Sequence, residues 1–317
     1  MTEIPPPEPA AGGRGRPSTA SVIRAVVLVA GFIGIALAVR ASADELDGSA
    51  FPPPATMAVV LLLAVASTLC SARAWSSLLP TVDRAVAHEA VYVSQLAKYL
   101  PVGGIAQAAA QLGLTVSSGA HAASVAAAWV VAMICSVAAA SVVGIGVVAV
   151  PGAPAVLRFV AVAAVGSLVF LHPRVLRWTF GFVARHIPRL GVDDSHIPQP
   201  AEVARCLAWS ITNQLAFASA VAVAVTSLVD DVPAWQVATG AALAWLCGFL
   251  VVVLPGGVGV REAVLAAVVP APTAALLAGS LAARLALLGA ECLLVGASAI
   301  RRRRSQRSSR GLPPVPG

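Results

Sequence analysis

Residues 100–104 (LPVGG) and residues 254–258 (LPGGV) interrupt two membrane-length hydrophobic runs with almost the same sequence. Proline removes a backbone hydrogen-bond donor and glycine lets the chain leave the helix, so each stretch opens backbone polar groups that lipid cannot satisfy. Such a break is stable only where protein or a water-filled cavity surrounds it. The two stretches therefore predict broken or re-entrant helices at residues 98–107 and 253–264, and paired breaks of this kind mark a binding site in many transporters.

The composition defines a membrane protein. The 317 residues are 58% hydrophobic and 11% charged, and the mean hydropathy is +0.87. The net charge of +7 comes from arginines that cluster in loops and tails, which is the positive-inside pattern of a membrane protein and excludes nucleic acid as the expected partner. The cysteines show no paired spacing for a disulfide or a zinc site, and no motif for a nucleotide, metal or other cofactor is present.

The order of the apolar runs predicts an all-α, polytopic helical bundle with six full spans and several partial or re-entrant helices. Residues 1–20 are expected to be a disordered cytoplasmic tail, residues 21–300 the transmembrane domain, and residues 301–317 a basic cytoplasmic tail. A cleaved signal peptide is the alternative for the first run, although its length and Arg40 favour an uncleaved span. The apolar segments lie at 22–39, 56–76, 120–149, 154–171, 206–228 and 234–254, with a last span ending at residue 300.

Two further segments are predicted to be helices at the membrane surface. Residues 81–100 carry charges among small apolar residues, which suits a helix at the interface or dipping partly into the membrane. Residues 174–189 place arginines on one side and apolar residues on another, which predicts an amphipathic helix on the cytoplasmic leaflet. The arginines are Arg174, Arg177, Arg185 and Arg189, and the apolar residues are Leu176, Phe180 and Val183.

The chain is expected to consist of two internally related halves. Residues 100–109 align without gaps on residues 254–263, so that Gln107 corresponds to Arg261. The four arginines that end the last span place the C-terminus in the cytoplasm. With both termini inside, the segment 255–272 must reach roughly across the membrane as a broken helix.

Charged side chains at membrane depth are the candidate functional groups. Arg284 lies near the middle of the last span, where insertion costs at least about 2.5 kcal/mol, so it needs a partner or a wet cavity. Glu262, Glu291 and an anionic ligand are the candidate partners, and a purely structural Arg–Glu pair is the alternative. Arg261 opens a short helix whose free N–H groups favour a phosphate, although ordinary snorkelling charges in a cytoplasmic loop are the alternative here.

The predicted substrate-binding residues come from both breaks and from the last span. A site on the fifth span formed by Ser210, Asn213 and Gln214 is possible in the same cavity, with interhelical hydrogen bonding as the alternative. The predicted set is Lys98, Tyr99, Pro101, Gly103, Gln107, Pro255, Gly256, Gly257, Gly259, Arg261, Glu262, Arg284 and Glu291.

Residues 98–101 (KYLP) and 254–262 (LPGGVGVRE) give the chain a resemblance to a known family. It resembles the transmembrane region of lysylphosphatidylglycerol synthases, a flippase-like membrane domain, over roughly residues 20–300. That family usually has glycine directly after the first proline, where Val102 stands here, and tends to carry an arginine at the place of Arg284. The resemblance implies movement of a lipid between leaflets, and we expect no soluble aminoacyltransferase domain.

The sequence therefore predicts a transporter, not an enzyme, in the cytoplasmic membrane of a bacterium, with membrane lipids as partners. The expected cargo is an anionic phospholipid or a polyprenyl-phosphate-linked lipid. One alternative is a non-catalytic membrane subunit that supports a glycosyl- or aminoacyl-transferase, and its partner is then a lipid-modifying enzyme. The other is an intramembrane transferase or hydrolase with Glu262 or His121 as general base.

Overall fold

The computed structural model describes residues 51–99, 103–186, 196–250 and 259–310. These residues form an all-α bundle, as predicted. The α-helices are α1 (Pro54–Ser77), α2 (Arg84–Ala97), α3 (Gly103–Val116), α4 (Ala122–Gly144), α5 (Ala155–Val165), α6 (Pro173–His186), α7 (Pro200–Thr226), α8 (Ala234–Leu250), α9 (Val260–Val268) and α10 (Thr273–Arg310). Short 3-10 helices extend α4 at Ile145–Ala149 and α5 at Gly166–Leu171.

Among the described residues, four helices are long and apolar enough to cross a membrane, which confirms a multi-pass membrane protein. They are Pro54–Ser77, Ala122–Ala149, Pro200–Thr226 and Thr273–Arg303. The predicted span at 154–171 is present as Ala155–Leu171, but it reaches spanning length only together with Pro173–Phe182, from which it is bent by 80°. The bend falls at His172, whose extended backbone precedes Pro173, because proline disfavours the helical conformation in the residue before it. The predicted span at 22–39 lies outside the described residues.

The two breaks each separate a pair of helices that pack on each other. α2 ends at Ala97 and contacts α3, which begins at Gly103. α8 ends at Leu250 and contacts α9, which begins at Val260. Each pair therefore has the form of a hairpin around its break, as expected of re-entrant segments.

The C-terminal half of α2 is buried among the other helices of the bundle. It begins at Asp83, whose carboxylate accepts hydrogen bonds from the backbone N–H groups of Ala85 (2.8 Å) and Val86 (3.2 Å). Its residues from Val91 to Ser94, together with Leu96 and Ala97, are buried. The helix therefore carries the residues before the first break into the interior of the bundle.

α7 is the central helix of the bundle and packs against α1, α4, α8 and α10. Small residues allow the close contacts, as is common in membrane helices. The hydroxyl of Ser67 on α1 donates a hydrogen bond to Asn213 Oδ1 on α7 (2.7 Å). Asn213 therefore performs the interhelical role that was the alternative to lining a cavity.

α6 is amphipathic, as predicted. Leu176 and Phe180 are buried against the bundle, whereas Arg174, Arg177 and Trp178 are exposed. Arg189 and the end of the predicted helix lie outside the described residues.

Candidate functional site

Three ion pairs connect α10 to other segments of the described chain. Arg302 donates to Glu89 Oε1 of α2 (2.7 Å), Glu291 pairs with Lys98, and Arg284 pairs with Glu262. At 1.5 Å per residue, Glu291 lies about 16 Å and Arg284 about 27 Å from Arg302 along the helix. α10 therefore forms ion pairs with Lys98, before the first break, and with Glu262, after the second break, at two levels along its axis.

The pair between Lys98 and Glu291 is held by the end of α2. Lys98 directly follows the last helical residue, its Nζ also donates to Gln95 Oε1 (3.2 Å), and it lies 5.1 Å from the ring centroid of Tyr99. Glu291 is 1% exposed, and its Oε2 has no hydrogen-bond partner within the described ranges. The side chain of Lys98 is 27% exposed, so the cation can be reached from outside while the carboxylate cannot.

The pair between Arg284 and Glu262 is held by the start of α9. Glu262 Oε2 accepts a hydrogen bond from the backbone N–H of Gly259 (2.8 Å), and Glu262 Oε1 contacts the Arg284 guanidinium. Gly259 has φ +84°, a left-handed conformation that favours glycine. Of the candidate partners for Arg284, the structure therefore selects Glu262, and Glu291 instead pairs with Lys98.

Arg261 is the cation without an ion pair among the described residues of this site. Its Nε is buried and makes no hydrogen bond to any residue that the structure describes. The side chain passes over Gly248 of α8 so closely that a Cβ on that glycine would lie 2.7 Å from Arg261 Cγ and 2.8 Å from Nε. Its charge interacts with Arg284, Glu262 and Tyr99.

These contacts bring residues from both breaks together. Tyr99, which precedes the first break, interacts with Glu291 and also with Arg284 and Arg261. We refer to Lys98, Tyr99, Arg261, Glu262, Arg284 and Glu291 as the charged cluster. Its three cationic and two anionic side chains leave one positive charge in excess, which attracts an anion.

Two cavities adjoin the charged cluster. A cleft of about 140 Å³ lies between α9 and α10, and its lining is apolar except near Glu262. A smaller void of about 20 Å³ is bordered by Arg261, Arg284 and Ser280, and is large enough for one water molecule. The residues around the cleft are Glu262, Ala263, Leu265, Ala266, Thr273, Leu276 and Leu277.

Several predicted site residues lie apart from the cluster or outside the described chain. Gly103 begins α3, and Gln107, four residues further on, makes no hydrogen bond or ion pair within the part of the chain that the structure describes. His121, at the start of α4, stacks on His196 with ring centroids 4.5 Å apart. Pro101, Pro255, Gly256 and Gly257 lie outside the described residues.

Sequence reasoning missed Gly248 and the contact between Glu89 and Arg302. Gly248 was one small residue among many in an apolar helix, and only the tertiary structure sets Arg261 against it. Glu89 is one of the charges among the small apolar residues of 81–100, but the sequence gives no means of relating it to a residue 213 positions away.

The fold and the charged cluster define an integral, multi-pass membrane protein with paired cations in its interior. No protein-family model and no curated protein matches the chain. The resemblance to the lysylphosphatidylglycerol synthase membrane region therefore stays a prediction.

Proposed function

We propose that the protein is a translocase that moves the anionic head group of a lipid past the charged cluster. One observation carries the proposal: both broken segments and α10 contribute cations to the charged cluster, where they exceed the carboxylates by one charge and Arg261 Nε has no hydrogen-bond partner among the described residues. An unneutralised cation inside a membrane protein is expensive, so an anion is the ligand that this site favours. A phosphate suits it best because its oxygens match the donors of a guanidinium.

The apolar cleft favours a lipid over a soluble anion. Glu262 belongs both to the ion pair with Arg284 and to the lining of the cleft between α9 and α10. If the hydrocarbon chain of a lipid packed against Leu265, Leu276 and Leu277, the phosphate of the same lipid would lie beside Arg284. The cargo is accordingly an anionic phospholipid or a lipid phosphate with a polyprenyl chain.

For the head group to move, the ion pairs Glu262–Arg284 and Glu291–Lys98 must open one after the other. At the level of Arg284 the phosphate replaces Glu262, and at the level of Lys98 it replaces Glu291. These two levels are about 10 Å apart along α10, so a phosphate passes from one pair to the other in a short step. The carboxylates keep the cations paired when no head group is present, which stabilises the empty protein.

We place the protein in the cytoplasmic membrane of a bacterium, with the C-terminal end of α10 in the cytoplasm. Four arginines lie around the start of α2, at one end of the bundle, and support this orientation. They are Arg73, Arg84, Arg301 and Arg302. Basic residues mark the cytoplasmic end of a membrane protein.

The test is head-group movement in reconstituted vesicles, measured with a labelled phosphatidylglycerol and with a labelled polyprenyl phosphate. Arg284→Ala should slow movement by about tenfold or more, the size expected from the loss of a charge-assisted hydrogen bond. Arg205→Ala is the control, because Arg205 is exposed and donates only to Ala201 O of its own helix. Undiminished movement by Arg284→Ala would end the proposal.

The single variant also leaves Glu262 without its cation, so a second variant separates misfolding from loss of binding. Arg284→Gln combined with Glu262→Gln keeps polar side chains at both positions and removes both charges. This protein should fold and elute as wild type does, yet still move the lipid slowly. Anionic lipid that copurifies with the wild type should be depleted from it, as measured by mass spectrometry.

A further inference from the structure

We infer that Glu291 is a proton-binding site that couples the movement of the anionic head group to a proton gradient, by controlling whether Lys98 is free to bind the head group. The inference rests on the proposed function and adds its energy source. It begins from an asymmetry in the ion pair: the carboxylate is 1% exposed, whereas the lysine side chain is 27% exposed.

The geometry leaves a place for the proton on Glu291. Oε1 contacts Lys98 Nζ, while Oε2 is buried and accepts no hydrogen bond from the described residues. An ionised carboxylate oxygen that is buried without a donor is unfavourable, and a proton on Oε2 neutralises the charge and so lowers the cost of its burial. The carboxylate then becomes a neutral acid, and the Lys98 ammonium keeps its own proton but loses its counter-ion.

The consequence for the charged cluster is a change of one charge. With Glu291 ionised the cluster carries one positive charge in excess, and with Glu291 protonated it carries two. Lys98 then has an exposed side and no carboxylate to pair with, so it binds a phosphate more tightly. Since the coupling of two ligands is reciprocal, the bound anion also strengthens proton binding.

Besides Lys98, the hydroxyl of Tyr99 hydrogen-bonds to the Glu291 carboxylate, and this contact leaves Oε2 without a partner among the described residues. The end of α2 contributes Lys98 and Tyr99, and α10 itself contributes Arg284 and Cys292. α9 contributes Arg261 and Glu262, of which Glu262 is paired with Arg284. α1 and α7 also pack against α10, but within the described ranges their titratable residues make no ion pair or hydrogen bond with Glu291; these are Cys70, Arg73, Glu202, Arg205 and Cys206.

The resulting cycle is a symport of one proton with one anionic head group. A proton from water forms an O–H bond at Glu291 Oε2, the head group binds Lys98 and then Arg284, and the lipid leaves into the other leaflet. The O–H bond then breaks, the proton returns to water on that side, and Lys98 pairs again with Glu291. No bond of the lipid is made or broken.

The competing role is a structural ion pair that only fixes α2 to α10. The two roles differ in their response to a gradient. A structural pair should affect folding and all movement alike, whereas a coupling pair should govern accumulation against a gradient and leave downhill movement in place.

The experiment measures the distribution of labelled phosphatidylglycerol between leaflets of vesicles that contain the protein, with and without a gradient of one pH unit and with the membrane potential clamped. For one proton per lipid, the wild type should reach about a tenfold difference between leaflets. Glu291→Gln, which resembles the protonated acid, should move the lipid at an altered rate and should equilibrate it without responding to the gradient. Glu89→Gln, which alters the pair with Arg302 at the end of the bundle, should respond as the wild type does.

The outcomes separate this inference from the proposed function. Downhill movement with no response of the wild type to the gradient, or an undiminished response of Glu291→Gln, overturns proton coupling and leaves the translocase in place. If Glu291→Gln fails to fold, Lys98→Gln is the second variant: it keeps Glu291 but has no cation to release, so its gradient response should also be lost.

A binding measurement keeps the inference testable if no lipid moves at all, which would contradict the proposed function itself. Dioctanoyl-phosphatidylglycerol is added to the protein in weakly buffered detergent with a pH indicator. Wild type should take up protons as it binds, and Glu291→Gln should not. Binding without proton uptake by the wild type overturns the inference.

Discussion

Glu262 joins the start of α9 to the middle of α10. One carboxylate oxygen accepts a hydrogen bond from the backbone N–H of Gly259, and the other contacts the guanidinium of Arg284. The same side chain thus caps the helix that follows the second break and neutralises a cation in the last span. Substitutions at this position can separate the two roles, because only one of them needs a charge.

Glu262→Gln should bind an anionic head group more tightly than the wild type. Glutamine retains an oxygen that can accept from Gly259, but it no longer competes with phosphate for Arg284. We expect the affinity for dioctanoyl-phosphatidylglycerol to rise by roughly threefold to tenfold, since one carboxylate charge near the site is removed. Titration calorimetry in detergent measures this change, and weaker binding would contradict the assignment of Glu262 as the anion's competitor.

Glu262→Ala should lose the cap as well as the charge. Compared with Glu262→Gln, its free energy of unfolding should be lower by about 1 kcal/mol, the usual contribution of a helix cap. Because both variants leave Arg284 without its carboxylate, their difference isolates the hydrogen bond to Gly259. Thermal unfolding of the two purified variants side by side is the measurement, and equal stability would mean that the cap contributes nothing.

The bounds of a helix could be predicted from the sequence where apolar composition alone determines them. They could be predicted less well where helix caps or contacts with distant residues determine them. α1 (Pro54–Ser77) lies close to its predicted bounds of 56–76 because hydropathy defines both of its ends. α7 begins at Pro200, before the predicted 206, because its first turn is polar. That turn is stabilised by the backbone N–H of Gln199, which donates to Glu202 Oε2 (2.8 Å).

The pairing of charges was only partly predictable. Glu262 and Glu291 both stood among the candidate partners of Arg284, and the sequence alone did not decide between them. The pairing of Glu291 with Lys98 depends on how the α2–α3 hairpin is placed against α10, which no local pattern specifies. The same holds for Cys135 and Cys206, which lie far apart in sequence although their thiols are in contact between α4 and α7.

Gly248→Ala should slow lipid movement without unfolding the protein. The added methyl group would lie 2.7 Å from Arg261 Cγ and 2.8 Å from its Nε, so the flexible arginine side chain must move aside. Displacement of a binding group by about 1 Å is expected to slow the movement roughly tenfold. Vesicle transport measures the rate, and Gly296→Ala is the control because nothing lies within 4 Å of its added Cβ. An unchanged rate in Gly248→Ala would show that the position of Arg261 is unimportant.

The stability of the protein should fall as the pH is lowered below about 6.5, in part because of His88. This histidine lies near the start of α2, outside the membrane-spanning helices, and its Nε2 is 3.3 Å from Ser76 Oγ. Burial, followed by the positive charges of Arg73, Arg301 and Arg84, lowers the pKa of His88, and Asp83 opposes them. The unfolded chain therefore takes up a proton at a higher pH than the folded protein does, so acid favours unfolding.

Replacement of His88 by glutamine should flatten this dependence. Thermal unfolding in detergent between pH 5 and pH 7.5 should show a smaller decrease for His88→Gln than for wild type, with the difference confined to the acid side of the range. Arg301→Gln should also reduce the decrease, because one of the charges that lowers the pKa is gone. Identical curves for wild type and His88→Gln would refute the role of this residue.

Gly279→Ala should destabilise the bundle itself, because α10 crosses α7 at this glycine. A Cβ there would lie 2.6 Å from Val225 Cγ2, 2.9 Å from Val225 Cα and 3.0 Å from its backbone nitrogen, and a backbone cannot move aside as a side chain can. Overpacking of this kind costs about 1 to 3 kcal/mol. Gly296→Ala lies on the same helix in open space and should be neutral or stabilising, since alanine is the better helix former. The measurement is the midpoint of thermal unfolding in detergent, and a Gly279→Ala protein as stable as Gly296→Ala would contradict the close crossing of α7 and α10.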